Sequence, residues 1–423
     1  MDNSNRPLAG IDKHDNLAFR AALARGLVSR RSAMLGAAGL SAAAFLAACG
    51  SEGRNPSTPG TGGASATSAA PTAKAAQDMS DTEKIVNWSN WTEYIDVTDD
   101  GKSRPTIDAF TKKTGIEVNY TEDYLDNDEF YAKVRPLLEG GQDTGRDVWC
   151  STDWLVARLI RQGYVQKLDL ANIPNAANLE DSLKNVEFDP GRLYSLPWQS
   201  GFAGIGYNLK ATGGKKIESM TQLLTDPALK GKVTLLTEMR DTVGLVLLEQ
   251  GKDPASFTDA DFDAAMEMIQ QAKDSGQILK FTGNEYTDGL AKGDIAACVA
   301  WTGDVVQLQF DDEDIQYALP EKGFMIWSDN FVIPAMARHK KNAEMLIDYY
   351  YDPKVMAEVA AWVNYIPPVK GARDELVKID AELGDNPLIA PSSEVLSRSH
   401  VFRGLTPDEE TKYNRAFQSI VTG

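Results

Sequence analysis

From residue 83 to the C terminus the sequence alternates short apolar runs with helical segments, and few folds accept that order. Residues 85–88, Ile-Val-Asn-Trp, read as a strand, 105–113 as a helix closed by Gly115, and 116–120 as the next strand. Further helices are expected over 129–138, 153–162, 261–274 and 343–351, and strands over 204–208, 233–236, 295–300 and 331–334. This pattern predicts an α/β fold with open sheets, whose ligand sites lie beyond the strand ends. About 340 residues exceed one ordinary core, so two lobes are expected.

The N terminus indicates where such a chain works. Arg20, Arg25, Arg30 and Arg31 precede a weakly apolar run over 33–48, the order of a signal peptide. That run is short of the roughly 20 residues needed to cross a bilayer. Ser29-Arg30-Arg31-Ser32-Ala33-Met34-Leu35 resembles the twin-arginine export motif, with Ala and Met where Phe-Leu is more usual. Leu46-Ala47-Ala48-Cys49 resembles a lipobox, which implies cleavage before Cys49 and its lipidation. The expected location is extracytoplasmic, anchored to the outer face of the cell membrane. Residues 50–82, rich in Ser, Thr, Gly, Ala and Pro, are expected to form a flexible linker.

Of 43 basic and 61 acidic residues, six and three precede Cys49, leaving 37 against 58. Such a charge excludes nucleic acid as a partner and favours diffusing cations, although solubility alone would also account for it. With Cys49 lipidated, Cys150 and Cys298 remain; both end strand-like runs, and two buried thiols are favoured over a disulfide.

The chemically suggestive residues cluster at strand ends. They are Ser89-Asn90-Trp91-Thr92-Glu93-Tyr94, Thr152-Asp153-Trp154, Leu236-Thr237-Glu238-Met239-Arg240-Asp241, Ala300-Trp301-Thr302-Gly303-Asp304, Ile326-Trp327-Ser328-Asp329-Asn330 and Asn364-Tyr365-Ile366-Pro367-Pro368. Several pair an aromatic ring with a carboxylate. An alkyl ammonium ion needs that combination: carboxylates replace its lost hydration, and aromatic faces hold both its methylenes and its charge. Core packing explains any one of these tryptophans equally well; six clusters at strand ends shift the balance.

Asn90-Trp91-Thr92-Glu93-Tyr94, Gly163-Tyr164-Val165-Gln166-Lys167-Leu168-Asp169 and Trp327-Ser328-Asp329-Asn330-Phe331-Val332-Ile333-Pro334, followed by Tyr365 and two prolines, resemble the spermidine/putrescine-binding proteins of bacterial ABC importers. The likeness spans about residues 84 to 420. It implies a two-lobed periplasmic-binding-protein-like fold of type II, with a ligand cleft between lobes joined by hinge strands. Residues 83–200 with 328–373 would form the first lobe, and 201–327 with 374–423 the second. The chain would capture polyamines without a cofactor and deliver them to an ABC permease and its ATPase.

Carried over residue by residue, Trp91 and Tyr94 would be aromatic walls, with Thr92 and Glu93 as polar contacts. Thr152 stands for a pocket hydroxyl and Trp154 for a pocket tyrosine. Glu238 and Asp241 match two acids that meet amino groups, in exchanged order of Asp and Glu. Trp301 and Trp327 match ring platforms, Asp329 the acid facing the central amine, and Tyr365 a further cleft residue. Phe402 stands near an expected glutamine, and Trp198 and Gln199 lie in a segment that reaches the cleft in this family. Asp304 has no matched role.

An enzyme would need a nucleophile or cofactor signature. There is no G-x-S-x-G, H-E-x-x-H or Gly-rich phosphate loop, and His339 and His400 look isolated. Tyr349-Tyr350-Tyr351 invites ferric ion, but successive helical rings point apart, which favours packing. A sugar binder leaves the paired acids unexplained. Another cationic amine, or a sensory amine-binding lipoprotein, stays open.

Overall fold

The computed structural model describes residues 75–98 and 101–423. The twin-arginine stretch, Cys49 and most of the linker expected over 50–82 lie outside the described residues.

Among the described residues twelve strands occur: β1 Ile85–Trp91, β2 Glu117–Tyr124, β3 Val148–Thr152, β4 Asn185–Val186, β5 Asp189–Pro190, β6 Ser195–Asn208, β7 Val233–Leu236, β8 Ile278–Thr282, β9 Ala297–Trp301, β10 Ile315–Ala318, β11 Phe324–Val332 and β12 Ser399–His400. The main sheet runs β2-β1-β3-β11-β6-β9-β7-β8, with β10 on β6 and β12 on β11. At one end β1 is parallel to β2 and β3, and at the other β7 is parallel to β8 and β9. Between them β6 and β11 run antiparallel to each other.

Two hydrophobic cores flank that central pair. One gathers Val86, Trp88, Val148, Leu196, Trp198, Phe331 and Ile347; the other Phe202, Ile205, Leu235, Val246, Val299, Phe324 and Met325. Strands β6 and β11 each contribute to both, so they are the covalent crossings. A third crossing is made at Ile366, which exchanges two backbone hydrogen bonds with Ser200, at 2.8 and 3.0 Å. The C-terminal helix Pro407–Thr422 packs Tyr413, Phe417 and Ile420 on the second core. This is the α/β, two-lobed, type II arrangement that the sequence implies.

Local chemistry explains the elements found from sequence. The helix Pro105–Thr114 starts at a proline and stops at Gly115, whose φ of 73° admits the left-handed closing turn. The helix Asp153–Gln162 buries Leu155, Val156, Leu159 and Ile160 on one face and ends at Gly163 with φ 71°. Strand β6 is the main surprise. It is 14 residues long and buried throughout, whereas only its last third has a recognisable β pattern. Pro197 and Gly201 hide the rest, and burial on both faces overrides their low β propensity. Strand β11 likewise begins at Phe324, seven residues before the expected start.

Five expectations are revised. Residues 76–82, expected as the end of a linker, pack against 335–342. Asp78 and Ser80 accept from the Lys341 and Asn342 backbone N–H groups at 3.2 and 3.1 Å, supplying the cap that the helix Lys340–Tyr350 lacks at its own N-cap residue. His339 is not isolated: it is buried, with Nδ1 2.9 Å from Asp147 and Nε2 2.8 Å from Glu83. His400 lies 3.6 Å from Asp253. Trp198 is core, not cleft, its ring set against Trp88, Phe331 and Tyr350. Gln199 is buried beside it, its amide on the Met356 sulfur.

Tyr349, Tyr350 and Tyr351 are buried, and Tyr351 donates to the Pro197 carbonyl at 2.7 Å. Cys150 and Cys298 are free, buried thiols, one in each core.

Candidate functional site

Two pairs of parallel strands carry the candidates at their C-terminal ends: β1 at Trp91 and β3 at Thr152 in one, β7 just before Glu238 and β9 at Trp301 in the other. Parallel strands direct successive loops to the same edge, and the antiparallel pairings β3–β11, β11–β6 and β6–β9 run the two pairs in opposite senses, so the two lobes present these loops to one another. Trp301 makes the meeting explicit, because its ring packs against both cores.

Asp329 sits on β11 where the strand passes between lobes, 4 % exposed, and its neighbour Asn330 marks a break in register with β6. Thr152, its backbone partner across the β3–β11 ladder, donates its hydroxyl to Asp329 Oδ1 at 2.6 Å. Asn127 donates in turn to Thr152 at 2.8 Å and accepts from the Tyr124 hydroxyl at 2.6 Å. Burial pushes the Asp329 carboxyl up to about 7, against the hydrogen bond from Thr152 and the nearby Tyr94 hydroxyl. The Tyr94 hydroxyl faces that carboxylate without closing a well-formed hydrogen bond.

Rings enclose this carboxylate. Tyr365 lies edge-on to Tyr94 and to Trp327, each pair 5.4 Å apart between centroids. Trp327 crosses over Gly201 on β6, where a Cβ would stand 2.6 Å from the indole. Glycine is required there for the ring to lie against the strand.

Asp304, at the start of the helix Thr302–Gln309, belongs to the same site. It accepts from Tyr286 at 2.8 Å, Asn284 at 2.9 Å and Tyr365 at 3.1 Å. Burial raises its carboxyl to about 6; these three donors oppose the rise and the Glu93 charge adds to it. Glu93 itself is exposed, with φ 57° turning the loop back after β1. Asp241 accepts from the Trp301 indole at 2.8 Å, and burial raises its carboxyl to about 6. Among the described residues no Lys, Arg or His forms an ion pair with Asp329, Asp304 or Asp241.

The remaining candidates stand apart from this inner group. Trp91 leans on Tyr124 at 4.3 Å, in a stack that continues through Phe130, and Thr92 is exposed. Glu238 caps the helix Met239–Glu249, and burial pushes its carboxyl up to about 8 despite the Arg240 guanidinium 3.7 Å away. Trp154 lies beneath that same guanidinium, 3.9 Å from the ring centroid. Glu238 and Arg240 border a cavity of about 390 Å³ with Asp126, Asp128, Glu129 and Glu285. The inner residues Asp241, Trp301, Trp327, Asp329 and Tyr365 do not border it. Phe402 packs on Phe257 at 4.9 Å.

Sequence reasoning therefore missed Asp304, Asn127 and Arg240. Asp304 carried a usable signal, an acid three positions after Trp301 at a strand end. Asn127 carried none.

Residues 105–391 match the family model for bacterial extracellular solute-binding proteins. A spermidine/putrescine-binding periplasmic protein of Haemophilus influenzae is 29 % identical over 294 residues, 70 % of this chain and 79 % of that one. A putrescine-binding periplasmic protein of Escherichia coli is 27 % identical over 339 residues, 75 % and 88 % respectively. The fold matches the substrate-binding protein of a spermidine/putrescine ABC transporter from Streptococcus pneumoniae, with TM-score 0.66, 22 % identity, and 80 % of this chain and 98 % of that one covered. A lipoprotein of Treponema pallidum gives TM-score 0.67 at 20 % identity, covering 79 % and 99 %. With two lobes, crossing strands and a family match over most of its described length, the chain belongs to the bacterial extracellular solute-binding proteins.

Proposed function

We propose that this protein captures a polyamine between its lobes and delivers it to an ABC permease and its ATPase, acting by binding without catalysis. The observation that carries this is the inner group of three carboxylates, Asp329, Asp304 and Asp241, each raised above its usual range by burial and none ion-paired within the described residues. Carboxylates held this way are costly until a cation joins them, and the rings of Tyr94, Tyr365, Trp301 and Trp327 suit the methylenes of an alkyl amine. The relatives named for spermidine and putrescine support the same class.

Closure about β6, β11 and the Ser200–Ile366 crossing would enclose the ligand. Twin-arginine export and lipidation at Cys49 would place the protein on the outer face of the membrane. Calorimetry of the purified protein against putrescine, spermidine, glucose and ferric citrate tests the reading. Heat from the amines alone is expected; binding of sugar or ferric citrate without amine binding would overturn it.

A further inference from the structure

Asn127, 3 % exposed at the start of the helix Asn127–Glu139, spends its side chain on the strand end that carries Thr152 and not on its own helix, which Asp126 already caps. Three contacts fix which way its amide points. The Thr152 backbone N–H and the Tyr124 hydroxyl meet Asn127 Oδ1 at 3.4 and 2.6 Å, and Nδ2 lies 2.8 Å from the Thr152 hydroxyl. A backbone N–H can only donate, so the amide oxygen belongs on that side and the amide nitrogen on the other. That nitrogen in turn can only donate, so the Thr152 oxygen accepts from it. A hydroxyl has one proton, and Asp329 Oδ1, 2.6 Å away, is the acceptor left for it.

We infer that Asn127 is a positioning residue for ligand binding: it turns the Thr152 proton onto Asp329, which holds one carboxylate oxygen and leaves the other to a ligand ammonium. The inference rests on the polyamine reading and adds to it a residue that acts through Thr152. Burial pushes the Asp329 carboxyl up to about 7, and a hydrogen bond given to the ionised form works against that rise. Tyr94, Tyr124, Tyr365 and Cys150 also face Asp329, but burial keeps all four neutral. The charges of Asp153 and Asp241 add to the rise. Those two acids are the same in native and variant proteins, so the comparison isolates Asn127.

Calorimetry at about pH 6.5 and about pH 8.5, with whichever of putrescine and spermidine binds the native protein, tests this. Asn127→Leu, close in shape but without a donor, should lower affinity by roughly tenfold at the lower pH, where Asp329 must shed a proton, and by much less at the higher. Thr152→Val should do the same. Asn127→Leu added to Thr152→Val should change nothing further, because the hydroxyl it orients is gone. No loss, equal losses at both pH values, or losses that add in the double variant overturn the inference. Neutron diffraction of the native, ligand-free protein at about pH 8, above the Asp329 value, answers without a variant. The Thr152 deuteron should point to Asp329 Oδ1, and one directed elsewhere refutes the inference. Each of these failures leaves the polyamine reading standing, whereas a native protein that binds neither amine removes both.

Discussion

Tyr365, packed on the first core, donates its hydroxyl at 3.1 Å to Asp304, carried by a helix of the second. One bond thus ties a ring of one lobe to a carboxylate of the other, beside Asp329. An acid to which the family resemblance assigns no pocket role is drawn into the candidate site by this contact.

Asp329→Asn should weaken amine binding by about a hundredfold or more, since breaking one partner of a buried ion pair costs about 3 to 5 kcal/mol and each 1.4 kcal/mol is tenfold. Asp304→Asn should act in the same way, because its carboxylate is held by three donors in the same site. Calorimetry on both variants checks this. Native affinity in Asp304→Asn would remove that residue from the site, and native affinity in Asp329→Asn would remove the amine reading.

Binding should strengthen with pH. Burial raises the carboxyl of Asp329 to about 7 and those of Asp304 and Asp241 to about 6, so at acid pH an incoming ammonium must displace protons. Affinity should level off above pH 7 and fall below it by up to about tenfold per pH unit for each acid that must ionise. Ligand-free stability runs the other way. A raised folded pKa gives these acids their full favourable contribution below 3.8, and it is lost as pH rises toward about 7. Isotherms from pH 5 to 8, with melting curves of the free protein, test both signs; affinity flat across that range would refute the first.

Gly201→Ala should disturb the site without touching a polar group. The new Cβ would meet Trp327 at 2.6 Å and Tyr365 at 3.0 Å, two rings that are not free to swing away inside a packed cleft. Overpacking of this kind costs about 1 to 3 kcal/mol. A lower melting temperature, shifted Trp fluorescence and weaker amine binding are expected together; a variant unchanged in all three would show that Trp327 has room.

His339 should lend stability that disappears in alkali. Burial opposes its charge, but Glu83 and Asp147 more than offset that and raise its pKa above 6.5. The contribution is therefore full below pH 6.5 and is lost as pH rises through the folded value. Melting temperatures of native and His339→Gln proteins should differ most near pH 6 and by less as pH rises through the folded value. A gap that widens with pH would contradict a charged histidine.

Much of the fold was legible because its signals are local. Pro105, Gly115 and Gly163 mark helix ends through backbone conformation, and the largely apolar run at β7 marks a strand through its side chains. The site was partly legible for the same reason, since acids and rings at strand ends can be seen without coordinates. The linker end at Asp78 and Ser80 was not, because their partners are N–H groups of a helix some 260 residues away.

By itself the sequence determined the α/β order of elements, the two-lobe scale, the strand-end clusters and the acidic charge, all of which follow from residue type and spacing. Only the tertiary structure decided which of the clusters meet. It buried Trp198 in a core, brought Asp304 to Tyr365, seated Asp329 on the Thr152 hydroxyl, and laid Arg240 across Trp154. Whether a carboxylate faces a ligand, a hydroxyl or the chain's own arginine depends on segments distant in sequence that packing brings within about 4 Å, and no local pattern encodes that distance.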